Sequence, residues 1–418
     1  MRLLAASLAL AALPGDPTSA TGARSAADDP VVHWNSRSYE TTRLPEEIPV
    51  AARAAIEAWS AWTKELDYRL DLERTGRVLL ISPSENGRVG AQLELVESAI
   101  EFFDEHVPRA DPQALRPYGP IVPAPEPVAP EVGPLPEDPE GEAPWEAGGF
   151  GKKTEKTESA PVETKWGVES VEPDVETIVF LVVRDERDYR KLLGFLGKGY
   201  PYLATWVREA TRQQGFSLQL PLAGAFLLLA DGQEEWNPDN ELVNRLTQVL
   251  ALRRFGTLPN WLVQGIAWTA ELAVNGAIYC FPYRSEFVGI GEHGGWEREL
   301  QRRFADRGKK KDVLDPREFT SWRRGRYRDE AARISWGVVN CLTRLHPTVL
   351  SLIAQSLADY RDADNRVSKG DGQWERDLDY DIPEKVQAEI VELYLGKEVW
   401  SEITRFFRDR EVPEPKRR

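Results

Sequence analysis

Twelve of the chain's thirty prolines fall between Pro108 and Pro144, and the densest part reads PIVPAPEPVAPEVGPLPEDPEGEAP. Proline locks its own φ and lacks an N–H, so such a stretch is neither a helix interior nor a central strand. The residues between the prolines are mostly Glu, Gly and Ala, which leaves little apolar surface to bury. The charged GKKTEKTES, residues 151–159, continues the same character. Residues 108–165 are therefore expected to be a linker or a long insertion. The folded chain is expected in two blocks, a small α/β segment over 31–107 and a larger domain over 166–410.

The chain begins MRLLAASLALAALPGDPTSATGARSA, with one Arg, an apolar run from Leu3 to Leu13, and small residues around Ala20 and Ala26. This is the layout of a secretory signal peptide over residues 1–26, which predicts export to a periplasmic or extracellular compartment. No Cys follows the run, so lipid attachment is not expected, and no other apolar stretch reaches the roughly 18 residues of a membrane span. A net charge of -15, from 68 acidic and 53 basic residues, excludes an extended nucleic-acid-binding surface. Cys280 and Cys341 are the only cysteines. They form one disulfide or two buried thiols, and cannot make a thiolate zinc site.

With 418 residues, 41% of them hydrophobic, the chain can bury a large core. Periodicity predicts helices in PVAARAAIEAWSAWTKEL, AQLELVESAIEFFDEH, RDERDYRKLLGFL and YPYLATWVREATRQQ. Short apolar runs predict strands in GRVLLIS, ETIVFLVV, FSLQL and AGAFLLLA. From Asn237 onward nearly everything reads as helix. Strands first and helices later predict an α+β fold, a small mixed sheet packed on a mainly helical body. DADNRVSKGDGQWERD, Asp362 to Asp377, lacks the ligand spacing of an EF-hand and is expected to be a solvated loop between helices.

The centre of the chain is NPDNELVNRLTQVLALRRF followed by LPNWLVQGIAWTAELA. Asn237 is placed to cap a helix, Pro238 fits its first turn, and Asp239 and Glu241 favour the positive end of its dipole. Asn240, Asn244 and Gln248 then share one face, while Leu242, Leu246, Val249 and Leu250 make a buried stripe. A second helix starts near Pro259, with Trp261 and Leu262 directed inward. Gly265 permits close approach of another backbone.

These two helices resemble the gluzincin zinc peptidases, and more closely the peptidase-MA-like families, in which a helix bearing H-E-x-x-H precedes LP.WL.EG.A. There two histidines and the later Glu hold zinc, and the Glu between the histidines polarises the zinc-bound water. The resemblance extends from about Glu176 to Arg408 and implies a gluzincin-like fold. Aligned residue by residue, it puts the ligand positions on Asn240, Asn244 and Gln264 and the catalytic position on Glu241. Carboxamides are neutral and bind zinc weakly, so no metal and no other cofactor is expected. The amides are expected to form a hydrogen-bonded cluster in the former metal position.

IYCFPYRSEFVGIGEHGGWERE, Ile278 to Glu299, follows directly. Tyr279, Phe281, Tyr283, Arg284, Phe287 and Trp296, with Trp261 and Trp268 beneath them, either line a groove or pack the core. The chain thus reads as an exported, catalytically inactive pseudo-peptidase whose former cleft binds a peptide or protein. The alternatives are a structural or envelope scaffold, and a metal-independent hydrolase using Glu241.

Overall fold

A computed structural model describes residues 30–118, 176–219, 221–228, 237–280, 295–305, 313–323, 328–360, 366–370, 373–376 and 382–409. The segments expected as signal peptide and as most of the Pro-rich insertion lie outside these residues.

The first block supplies β1 (Val31–Trp34), β2 (Arg37–Glu40), α1 (Val50–Leu66), β3 (Tyr68–Leu72), β4 (Val78–Pro83) and α2 (Val89–His106). The second opens with β5 (Ile178–Val183), α3 (Glu186–Gly199), α4 (Ala204–Ala210), β6 (Gly215–Leu218) and β7 (Ala223–Leu227). All seven strands form one mixed sheet in the order β2-β1-β3-β4-β5-β7-β6. The parallel pairing of β4 with β5, in register from Val78↔Ile178 to Ile81↔Leu181, joins strands from the two sides of the Pro-rich stretch. The first block is therefore part of the same sheet.

Strands β4 and β5 are buried at every position, which explains their unbroken apolar runs VLLIS and IVFLVV. Val78, Leu80, Phe180 and Val182 face one core, shared with α2 and the central helices. Leu79, Ile81, Val179, Leu181 and Val183 face the other, shared with α1 and α3. Strands β1 and β2 add to the strands expected from apolar runs. They are joined by Asn35 and Ser36, both at positive φ (48° and 61°), the conformation of a tight two-residue hairpin turn.

Beyond the sheet the chain is mainly helical, in α5 (Pro238–Phe255), α6 (Asn260–Asn275), α7 (Trp296–Ala305), α8 (Arg317–Thr320), α9 (Asp329–Leu345), α10 (Val349–Asp359), α11 (Glu384–Leu395) and α12 (Val399–Arg408). The architecture is a mixed α+β fold with a sheet packed against a mainly helical body. The expected loop over Asp362–Asp377 instead contains the antiparallel pair β8 (Arg366–Gly370) and β9 (Gln373–Arg376). Val367 in β8 and Trp374 in β9 are strand-forming residues that outweigh the polar composition of the stretch. No helix among the described residues is long and apolar enough to cross a membrane.

Helix α5 lies against β5, β6 and β7 on one side and against α2 and α6 on others. Its C-terminal Arg254 reaches Asp104 at 2.6 Å and the carbonyl of Val107, and Arg88 reaches Asp239 at 2.7 Å. These contacts fasten both ends of α5 to the first block. Helix α6 is clasped by α5 and α9. A Cβ on Gly265 would lie 2.5 Å from Val339 Cγ2 and 2.8 Å from the Ser335 carbonyl. Gly265→Ala is expected to destabilise the fold by about 1–3 kcal/mol through overpacking, read as a lower urea midpoint. An unchanged midpoint would mean that α6 and α9 separate freely.

Candidate functional site

The capping of α5 follows its sequence. Asn237 Oδ1 accepts from the N–H groups of Asp239 and Asn240, Pro238 occupies the first turn, and Arg253 and Arg254 lie in the last. The helix is enclosed all round, so its polar side chains are buried too. Asn240 is 1% exposed, Glu241 and Asn244 0%, and Arg245 4%. Buried polar groups must find partners, and these divide between two neighbouring faces of the helix.

The first face turns to α6. Asn240 Nδ2 donates to Glu271 Oε1 at 2.7 Å and to the Ala277 carbonyl at 2.7 Å. Asn244 Nδ2 donates to Glu271 Oε2 at 2.9 Å. Glu271 Oε1 also accepts from the backbone N–H of Cys280 at 2.9 Å and from that of Tyr279. One carboxylate thus gathers two side-chain amides and two backbone donors. Gln248 Nε2 donates to Asn244 Oδ1 at 2.7 Å and lies 3.5 Å from Gln264 Oε1, which extends the amide chain toward the start of α6.

The pairing of Asn240 with Glu271 and of Gln248 with Gln264 makes α5 and α6 antiparallel. In this register Gln264 faces Gln248, and the group opposite Asn240 and Asn244 is Glu271. The amide cluster is present, but its hub is a carboxylate that the motif did not point to. Glu271 is the one charged residue of α6 and lies seven positions, two helical turns, after Gln264, so both project from one face. That isolated charge in an apolar helix was the available signal.

Burial pushes the Glu271 carboxyl up to about 8, against the Tyr279, Asn240, Cys280 and Asn244 donors that hold it down. Beside it, Trp268 Nε1 donates to the Cys280 carbonyl at 2.6 Å. The chain after α6 is thereby pinned against α5 and α6 at Ala277, Tyr279 and Cys280.

The second face turns to the sheet. Glu241 Oε2 accepts from Arg245 Nε at 2.8 Å, one turn along the helix, with both side chains buried. The Arg245 guanidinium lies over Gly215 at the start of β6, where a Cβ would be 2.5 Å from Nε.

Of the expected groove residues, Trp261 and Trp268 are fully buried and Trp296 is 2% exposed. Trp268 stacks on Trp322 at 5.9 Å and meets Trp296 edge-on at 5.1 Å, and Trp261 meets Phe319 at 5.1 Å. These three are core residues, not groove lining, because Trp261 and Trp268 of α6 pack on Phe319 of α8, on Trp322 and on Trp296 at the start of α7. Tyr279 is half-buried, and its backbone N–H is bonded to Glu271. Phe281, Tyr283, Arg284 and Phe287 lie outside the described residues. Cys280 and Cys341 are both buried and not bridged to each other, which decides between the two expectations in favour of two thiols.

No family model matches the chain, and no curated protein matches it. The donor set is accordingly judged on its own chemistry. Asn240 and Asn244 turn their amide N–H groups, which carry no lone pair for a metal, toward Glu271, and both oxygens of that carboxylate are already engaged. Among the described residues no group of three His, Cys, Asp or Glu side chains converges. The residues present do not fit a zinc ion of the peptidase type.

Proposed function

We propose that the chain is an exported, non-catalytic relative of the gluzincin peptidases that acts by binding a peptide or protein. The observation that carries this reading is the double donation of Asn240 and Asn244 to Glu271, a hydrogen-bonded acid side chain where the resemblance implies a cation. A peptidase of this type needs a metal to lower the pKa of its attacking water, and a polar cluster of amides supplies no such Lewis acid. Glu241, at the retained catalytic position, is committed to Arg245 and supports the helix.

A scaffold that presents its surface without holding a ligand in a cleft is the second reading. The burial of Trp261, Trp268 and Trp296 favours it, since those aromatics are used in the core.

Elemental analysis of the natively purified protein, repeated after incubation with excess zinc and desalting, tests the shared premise. Zinc below about a tenth per chain is expected, because neutral carboxamides do not replace imidazole and carboxylate ligands. Zinc near one per chain that is lost in Asn240→Ala and Asn244→Ala would overturn the reading and make the chain a metalloprotein.

A further inference from the structure

Helices α2 and α5 run side by side in the same direction. Arg88 meets Asp239 at their N-termini, and Arg254 meets Asp104 and the Val107 carbonyl at their C-termini. Two positive dipole ends therefore lie together, and they are finished differently. In α5 the Asn237 side chain takes the N–H groups of Asp239 and Asn240, whereas α2 starts at Arg88 without a side-chain cap. The N–H groups of Gly87, Val89, Gly90 and Ala91 have no hydrogen-bond partner among the described residues.

The two glycines keep that end open. Neither packing nor backbone conformation requires them, since a Cβ at Gly87 or Gly90 would meet no atom within 4 Å and neither residue has a positive φ. Gly90 lies inside the helix, where glycine costs up to about 1 kcal/mol against alanine. The missing side chains leave clear approach to the unpaired N–H groups.

A side chain buried in α2 points to the same end. Gln92, in the first turn, is 1% exposed, and its Oε1 accepts from Asn86 Nδ2 at 2.8 Å. Helical side chains tilt toward the N-terminus, and this bond to a residue six positions earlier holds the amide against the turn that leads into α2. Its Nε2 is buried there with no partner among the described residues, although an unpaired buried donor costs about 1–3 kcal/mol. On the outer side Arg88, half exposed, gives only Nη2 to Asp239, and its Nε and Nη1 make no described hydrogen bond.

We infer that the start of α2 is a binding site for a phosphate group. Several N–H groups at one dipole end, with a guanidinium beside them, suit an anion that carries three or four oxygens. The neighbouring carboxylates are already balanced, Asp239 by Arg88 and Glu85 by Arg184. The group is either free inorganic phosphate or a phosphate monoester on a larger molecule.

Thermal unfolding of the full chain against sodium phosphate, at constant pH and ionic strength, tests the site with Gly90→Asp and Gln92→Met as variants. Gly90→Asp puts a carboxylate into open space in the first helical turn, where an acid is favoured, so it folds at least as well as the parent. Phosphate excluded from the surface raises every Tm without saturating. The parent is expected to show a saturable rise above that background, Gly90→Asp to lose it, and Gln92→Met to bind roughly fivefold more weakly, the worth of one hydrogen bond. Displacement of phosphate by glycerol 3-phosphate assigns the site to monoesters, and no displacement assigns it to the free ion. No saturable rise in the parent, or binding by Gly90→Asp or Gln92→Met equal to the parent's, would overturn the inference.

Discussion

Glu271→Ala is expected to be among the most damaging single substitutions in the chain, lowering the unfolding free energy by about 4 kcal/mol. The loss is large because one carboxylate satisfies Asn240, Asn244 and the backbone N–H groups of Tyr279 and Cys280. Each buried donor left without a partner costs about 1–3 kcal/mol, and the water admitted by the smaller side chain recovers part of that. Glu271→Gln preserves the shape and should cost less, since the amides can reorient in sequence. The amide nitrogen that this substitution introduces would face Asn244, which flips to accept, and Gln248 flips in turn. Urea unfolding of both variants checks the order, and a Glu271→Ala midpoint equal to the parent's would show that the cluster holds nothing together.

The same residue makes stability depend on pH, with a definite sign. Burial raises the folded-state Glu271 carboxyl to about 8, above the value of about 4.3 for an unfolded Glu, so folding favours its protonated form. This contribution is fully present below about pH 4.3 and is lost as pH rises through about 8. The parent should therefore lose stability relative to Glu271→Gln as the pH is raised from about 5 to about 8.5. The opposite trend would mean that the four donors outweigh burial and hold the group as a carboxylate throughout.

Much of this architecture could be read locally, because local chemistry dictates it. Asn237 and Pro238 announced the start of α5, Gly265 its close neighbour α9, and the apolar runs at Val78 and Ile178 two strands buried on both faces. Pairing could not be read in the same way. Nothing in VLLIS selects IVFLVV as its neighbour across the Pro-rich stretch, since apolar runs of this kind accept many partners. The strands joined at Asn35-Ser36 and the pair β8 and β9 are too short for periodicity to mark them. The site was half legible. The amides on α5 were found from their spacing, whereas the group they serve depends on the register of α6 against α5. A peptidase-like spacing drew attention to Gln264, and two turns further along the same face Glu271 takes the central place.

Arg245→Ala is expected to destabilise the protein by about 3–5 kcal/mol, because it removes the counter-charge of the Glu241 carboxylate at 0% exposure. Glu241→Ala leaves the guanidinium without its carboxylate instead. It should cost less, since Arg245 has terminal nitrogens near the β6 edge that water can reach. A buried pair is weak evidence of net stabilisation, however, as desolvating both charges offsets most of their attraction. Replacing both together, Glu241→Leu with Arg245→Met, is therefore expected to recover most of the loss. Double-mutant analysis of the urea midpoints measures the coupling directly. The comparison also separates the two roles open to Glu241. If it served only as a base toward a substrate, Arg245→Ala would leave the fold intact and Glu241→Gln would change activity without changing stability. If it is the anchor of Arg245, the single variants lose stability and the double variant regains it, whatever the chain binds.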